Sequence, residues 1–145
     1  MTGSSRPARL WHRFAAHPLP WLLLLAAVLR TIAAFQPGLH HPDAIYQYLE
    51  PAHRILTGDG AVTWEWRVRM RSWLLPTLLV PPMALGEALG PAGPWPVALP
   101  RLAMGAASLS IVWSAWRLGQ RRSRFAGLLA GFVAATWFEC VYFGV

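Results

Sequence analysis

PLPWLLLLAAVLRTIAAF, residues 18–35, decides the class of fold. Its core from Trp21 to Leu29 carries no charged side chain. A helix over the segment spans roughly 27 Å at about 1.5 Å per residue, close to the thickness of a bilayer's hydrocarbon core. Arg30 interrupts the run near its far end, where a long side chain can snorkel to the interface. A basic start, a short apolar core and Ala33-Ala34 also fit a cleaved signal peptide. The further apolar segments downstream favour an uncleaved span.

Reading outward, residues 1–17 hold Arg6, Arg9 and Arg13 with no acid and read as a cytoplasmic basic tail. Residues 18–36 form the first transmembrane helix, and 37–73 a long polar stretch on the extracytoplasmic side. Residues 74–145 return to apolar helices over 74–90, 97–118 and 125–145. Pro76, Pro81 and Pro82 predict a kinked helix in the first of these. GPAGPWP (90–96) is a tight connector. The 97–118 span starts near Arg101 and carries Gly105, Ala106, Ala107 and Ser108, small residues suited to close helix packing. RLGQRRSR (117–124) is a basic hinge, and Glu139 stands near the end of the last segment, where an intramembrane acid points to a function or a cavity. The pattern predicts an all-α fold of polytopic membrane helices, about four apolar segments with a short helical extracytoplasmic first loop. Four spans with the N-terminus inside put the basic 117–124 hinge outside, against the positive-inside tendency. Either the proline-rich 74–96 region does not cross fully or the chain breaks that tendency.

Composition agrees with a lipid bilayer as partner. Of 145 residues, 55% are apolar and 13% charged, about half the charge of an ordinary soluble domain. That apolar content excludes disorder, and the lone Cys140 excludes a disulfide scaffold. Every one of the 13 basic residues is Arg, and the net charge is +7. The arginines flank apolar runs instead of forming one stripe, which argues against nucleic acid as a partner. Total reliance on Arg suggests GC-rich coding, hence a bacterium and its inner membrane; a eukaryotic protein of this kind sits in the endoplasmic reticulum membrane.

The 37–73 stretch, PGLHHPDAIYQYLEPAHRILTGDGAVTWEWRVRMRSW, balances Asp43, Glu50, Asp59 and Glu65 against Arg54, Arg67, Arg69 and Arg71. Pro42 suits a first helical turn. From there Asp43, Gln47, Glu50 and Arg54 recur along one face of an α-helix. Pro51 removes one backbone bond, and Gly58-Asp59-Gly60 ends the helix in a turn. His40 and His41 are adjacent, yet no further ligands stand at metal spacing, so neither a metal site nor a cofactor is expected.

His41-Pro42-Asp43, Gln47, Glu50, His53-Arg54, Gly58 and Gly60, Thr63-Trp64-Glu65, and Arg71-Ser72 followed by Pro76 together resemble the first luminal loop of a family of multi-span glycosyltransferases. These are the mannosyltransferases that build GPI anchors and the lipid-linked oligosaccharide arm. Pro100-Arg101-Leu102 and Tyr142-Phe143-Gly144 resemble the family more loosely. The resemblance implies part of a glycosyltransferase C-type module, with a catalytic cavity at the luminal or periplasmic face. It also implies a polyprenyl-phosphate sugar donor, a glycan or glycolipid acceptor, and inversion. The role of catalytic carboxylate falls on Asp43. Ala44 stands where the family usually has a second acid, and Asp59 where an aromatic residue is common. The match covers essentially this chain but only the N-terminal part of a typical member, and the sequence stops in an apolar segment at Val145. A truncated product, inactive alone, is expected.

Such a transfer needs a carboxylate to take the acceptor's proton and cations to stabilise the departing lipid phosphate. Asp43 supplies the first, and Arg54, Arg69 or Arg71 the second. Trp64 and Trp66 offer flat faces for a sugar or an anchor at the membrane interface. Gln47, Glu50, His53 and Glu65 are candidates to bind substrate hydroxyls or orient Asp43. Each has a plainer alternative. Asp43 can stabilise a helix N-terminus, His53 can be structural, and Glu65 can pair with Arg67 or Arg69. Two other classes use the same segments. A non-catalytic membrane subunit or scaffold depends on packing around Gly105–Ser108, and a transporter fragment has Arg30 and Glu139 lining a path.

Overall fold

The computed structural model describes residues 17–37 and 42–142, apart from the Phe138 side chain. Among these residues the structure is helical throughout, without strands. The order is α1 (Pro18–Ala34), a π-helical segment (Ala44–Leu49), α2 (Glu50–Thr57), α3 (Trp64–Arg67), α4 (Leu74–Leu89), α5 (Trp95–Gln120), α6 (Arg124–Thr136) and α7 (Phe138–Tyr142). The chain divides into two compact units. Among the described residues, one comprises 17–33 together with 105–142, the other 34–37 and 42–104.

In the first unit, Leu22 and Ala26 of α1 meet Val112 of α5 and Ala134 and Ala135 of α6 in a small-residue core. α5 and α6 form a tight helical hairpin. Arg122 and Ser123 both donate their N–H to Gly119 O, at 3.0 and 3.2 Å, and Ser123 Oγ caps α6 by accepting from Ala126 N at 3.0 Å. Glycines permit the approach: a Cβ on Gly119 would stand 2.6 Å from Ala126 O, and one on Gly131 2.8 Å from Leu22 Cδ1. Gly127 and Gly131 make a GxxxG pair on α6 that the sequence reading passed over. Of the small residues expected to pack closely, Gly105 and Ser108 are buried, while Ala106 and Ala107 face outward.

Arg30 does not snorkel. It is only 2% exposed, with Nε donating to Ser108 Oγ at 2.6 Å. Its other nitrogens donate to the carbonyls of Ala26, Ala134, Ala135 and Cys140 at 3.1–3.5 Å. A helix end leaves its last carbonyls without partners, and a guanidinium can satisfy several at once. Arg30 thereby fits the end of α6, where Trp137 turns extended (φ −59°, ψ 126°) before α7 begins. The expected single helix over 125–145 is accordingly broken in two. Glu139 lies exposed beside that break and accepts from Trp137 Nε1 at 3.3 Å.

In the second unit, Leu49 and Ala52 pack against Leu79 and Met83 of α4, with Val97 and Met104 of α5 alongside. Pro51, Pro76 and Pro100 are fully buried. Gly86 lies so close to the backbone of Trp95 and Pro96 that a Cβ would collide with it. Trp95 meets Phe35 edge-on at 5.6 Å, and Arg101 donates to Gln36 O at 3.2 Å. Pro81 and Pro82 sit inside α4 without ending it, and one helix runs over 16 residues of the expected 74–90 segment. Their missing N–H groups fall within an otherwise continuous ladder.

Four apolar helices are therefore present, but among the described residues only α5, with 26 residues, is long and apolar enough to cross a membrane. α1, α4 and α6, at 17, 16 and 13 residues, are shorter than the expected spans.

Candidate functional site

The polar stretch belongs to the second unit and is organised around Pro51. A proline cannot donate to the carbonyl four residues back, and its ring crowds that carbonyl. The turns ahead of it widen: Glu50 N–H reaches Ile45 O, a five-residue step, and Ala44–Leu49 forms a π-helix. This overturns the even α-helical stripe expected through Asp43, Gln47, Glu50 and Arg54. Wider turns displace each side chain around the axis. Gln47 goes inward and is buried, Asp43 and Arg54 stay exposed, and Glu50 is half-buried.

Three of the polar side chains on α2 hold the turn that follows. Gly58 adopts φ +87° and closes α2 by donating to Arg54 O at 2.9 Å. Glu50 Oε2 then accepts from Ala61 N at 3.0 Å, Arg54 Nη1 donates to Gly60 O at 3.1 Å, and His53 Nδ1 donates to Asp59 O at 3.1 Å. Thr57 Oγ1 accepts from Asp59 N at 3.2 Å. Glu50, His53 and Arg54 thus fix the path of residues 59–61 into Thr63-Trp64-Glu65.

α3 is tied back by Trp66, which is buried and donates Nε1 to Tyr46 O at 3.1 Å. Its ring lies 4.4 Å from that of Trp73 at a 45° tilt. Trp64, by contrast, is 64% exposed and presents its face outward. Arg69 holds a positive φ of 59°, the left-handed region that side chains with a Cβ seldom adopt. The chain reverses there, with Arg69 N donating to Trp66 O and Met70 N to Glu65 O. The reversal brings Arg71 back to Glu65, where Nη2 meets Oε1 at 2.9 Å. That hydrogen bond is the main influence raising the Arg71 pKa above its ordinary value. Desolvation opposes it as the next largest influence, and the charges of Glu65, Asp43 and Tyr48 add smaller upward contributions.

Gln47, Tyr48, Trp66, Arg71, Ser72 and Leu75 line an open pocket of about 270 Å³. The structure therefore gathers Gln47 and Arg71 at one pocket, places Asp43 within the electrostatic reach of Arg71, and bonds that guanidinium to Glu65. Arg69 and Trp64 stand exposed on the same loop without lining the pocket. Tyr48 is a pocket residue that the sequence pattern does not single out, and Ser72 stands out there only as part of the Arg71-Ser72 motif. The π-turn that carries Tyr48 there has no period a helical stripe would reveal. Among the described residues no three His, Cys, Asp or Glu converge as a metal site, and His40 and His41 lie outside those residues.

A model of the Alg9-like mannosyltransferase family matches residues 21–144. Two curated GPI mannosyltransferase 3 sequences from Trypanosoma brucei brucei are similar. One is 33% identical over 88 residues, covering 54% of this chain and 14% of the relative. The other is 31% identical over 111 residues, covering 70% and 19%. The alpha-1,2-mannosyltransferase alg9 of Schizosaccharomyces pombe is 36% identical over 72 residues, covering 48% and 12%. The chain thus spans less than a fifth of each of these relatives. They are eukaryotic, and the expected bacterial inner-membrane placement draws no support from them. No solved structure matches the chain.

Proposed function

Because the chain belongs to the Alg9-like mannosyltransferase family, we propose that it forms part of a membrane-embedded mannosyltransferase and carries that enzyme's polar first loop. The enzyme moves a mannosyl group from a polyprenyl-phosphate donor to a glycolipid acceptor with inversion, and this chain alone is inactive. Residues 1–17 form a cytoplasmic tail, 18–36 a span, 37–73 the extracytoplasmic loop, and 74–145 further membrane helices. The outward Leu24, Val28 and Ile32 of α1 and the length of α5 support the membrane placement.

Asp43 accepts the proton of the acceptor hydroxyl as that oxygen bonds to the anomeric carbon. The bond from that carbon to the lipid phosphate breaks on the opposite face, which inverts the centre. Arg71 stabilises the departing phosphate by charge-assisted hydrogen bonds. Gln47 and Tyr48 offer hydrogen bonds to the sugar from the pocket wall, and Trp64 offers an apolar face. Glu50, His53 and Arg54 act by holding the turn that aims this loop. The observation that carries the reading is the placement of Arg71 at the pocket, bonded to Glu65 and within the field of Asp43. A transporter path through Arg30 and Glu139 has no such support, since the first is spent on carbonyls and the second is exposed.

Donor class is the direct test of this function. Membranes containing the complete enzyme receive radiolabelled mannose either as the polyprenyl phosphate or as the sugar nucleotide, with a glycolipid acceptor. Label should pass only from the polyprenyl phosphate. Transfer from the nucleotide sugar in the absence of any polyprenyl phosphate would refute the donor assignment.

A further inference from the structure

We propose that the turn joining α5 to α6 binds the phosphate headgroups of anionic membrane lipids. Arg117, Arg121, Arg122 and Arg124 fall within eight residues, and no acid occurs between Glu87 and Glu139. All four are exposed, and no carboxylate pairs with any of them among the described residues. An open pocket of about 450 Å³ lies there, lined by Trp113, Ser114, Arg117, Leu118, Gln120 and Arg121. The Arg117 guanidinium stands 5.8 Å from the centre of the Trp113 ring, which orients its charge along the pocket wall.

Helix termination explains only part of this charge. One cation in the last turn of α5 complements the helix dipole, and Arg117 suffices for that. The turn's backbone donors are already used: Arg121 N bonds Leu118 O, and the N–H groups of Arg122 and Ser123 bond Gly119 O. An anion beside residues 121–123 is therefore met by side chains. The surroundings select a lipid over a free anion. Leu118 and Phe125 are 63% and 73% exposed directly beside the arginines, at the end of a membrane-length apolar helix. A phosphodiester with acyl chains attached satisfies both surfaces, whereas inorganic phosphate satisfies one. Basic residues next to a membrane helix gain affinity for anionic lipid in the same manner.

The inference rests on the membrane placement of α5 proposed above, and flotation of the chain with phosphatidylcholine vesicles tests that placement separately. In the inserted chain, quenching of tryptophan fluorescence is compared for brominated phosphatidylglycerol and brominated phosphatidylcholine at equal mole fraction. Phosphatidylglycerol should be preferred by roughly tenfold. Arg117→Gln/Arg121→Gln should reduce the preference to within about twofold, and Arg6→Gln/Arg9→Gln, which removes the same charge, should keep most of it. Equal quenching by the two lipids, equal losses in the two double variants, or abolition of the preference by millimolar inorganic phosphate would overturn the proposal. Should the Arg117 and Arg121 variant fail to insert, the lipid comparison on the unmodified chain, with and without phosphate, decides alone.

Discussion

Arg71 donates to Glu65 at 2.9 Å, and this hydrogen bond outweighs the more distant pull of Asp43 on the same guanidinium. Glu65 thereby sets where Arg71 stands at the pocket. The raised pKa leaves Arg71 charged well above neutral pH, so its contribution does not titrate across the physiological range.

Removing either partner should therefore have different consequences. Arg71→Ala should raise the KM for a polyprenyl-phosphate donor by roughly tenfold or more, the scale of one lost hydrogen bond to a charged group. Glu65→Gln keeps the cation but loosens it, and should raise KM less. Both variants should unfold at nearly the same temperature as the unmodified protein, because Arg71 is exposed, Glu65 is only partly buried, and such surface pairs contribute little to stability. Steady-state kinetics and thermal melts on the same preparations check this.

The turn after α2 is sensitive at one atom. Gly60 has φ +154°, and a Cβ there would lie 3.2 Å from both Glu50 O and Glu50 Oε2. Gly60→Ala should cost about 1–3 kcal/mol from backbone strain and the loss of the bond between Glu50 and Ala61. Gly58→Ala, at φ +87° with nothing within 4 Å of the added carbon, should cost only about 1 kcal/mol. Denaturant titration in mild detergent separates the two.

The helical hairpin of α5 and α6 makes a similar comparison possible. A Cβ on Gly119 meets the backbone of Ala126 and Gly127, which cannot give way. A Cβ on Gly127 meets first the Gln120 Cγ, which can. Gly119→Ala should destabilise the hairpin by about 1–3 kcal/mol, the usual cost of overpacking. Gly127→Ala should cost less, because part of the strain relaxes and alanine favours the helix. Unfolding followed by far-UV circular dichroism ranks the pair.

Arg30 and Ser108 are the buried polar contact of the first unit. Ser108→Ala removes one acceptor from a guanidinium that water does not reach, and should cost about 1–3 kcal/mol. Arg30→Ala should cost more, since the carbonyls of Ala134, Ala135 and Cys140 lose their donor together. The comparison is again a denaturation measurement, and equal costs would contradict the bonding described.

Much of this arrangement was legible in the residues. The helical class and the turn at Gly58-Asp59-Gly60 follow from local chemistry and appear where expected, while the connector expected over 90–96 and the hinge expected over 117–124 are shorter, because α5 already begins at Trp95 and continues to Gln120. Arg30 escapes the sequence pattern because its neighbours in sequence are lipid-like, while all its partners but Ala26 O come from residues 78 to 110 positions away. The π-helix leaves no signal in the sequence beyond Pro51, its cause, because a proline's effect on the turns before it depends on packing against α4. Glu50, His53 and Arg54 were read for chemistry. Their backbone partners at 59–61 become apparent only once the turn has closed.

Asp43 as the proton acceptor is the claim on which the mechanism turns, and single-turnover transfer by the complete enzyme carrying Asp43→Asn tests it most directly. The variant should insert and bind donor as the unmodified enzyme does, while its chemical step slows by roughly 10²–10⁴-fold, the range of a lost general base. Transfer of mannose at the unmodified rate by an equally well inserted Asp43→Asn variant would contradict it.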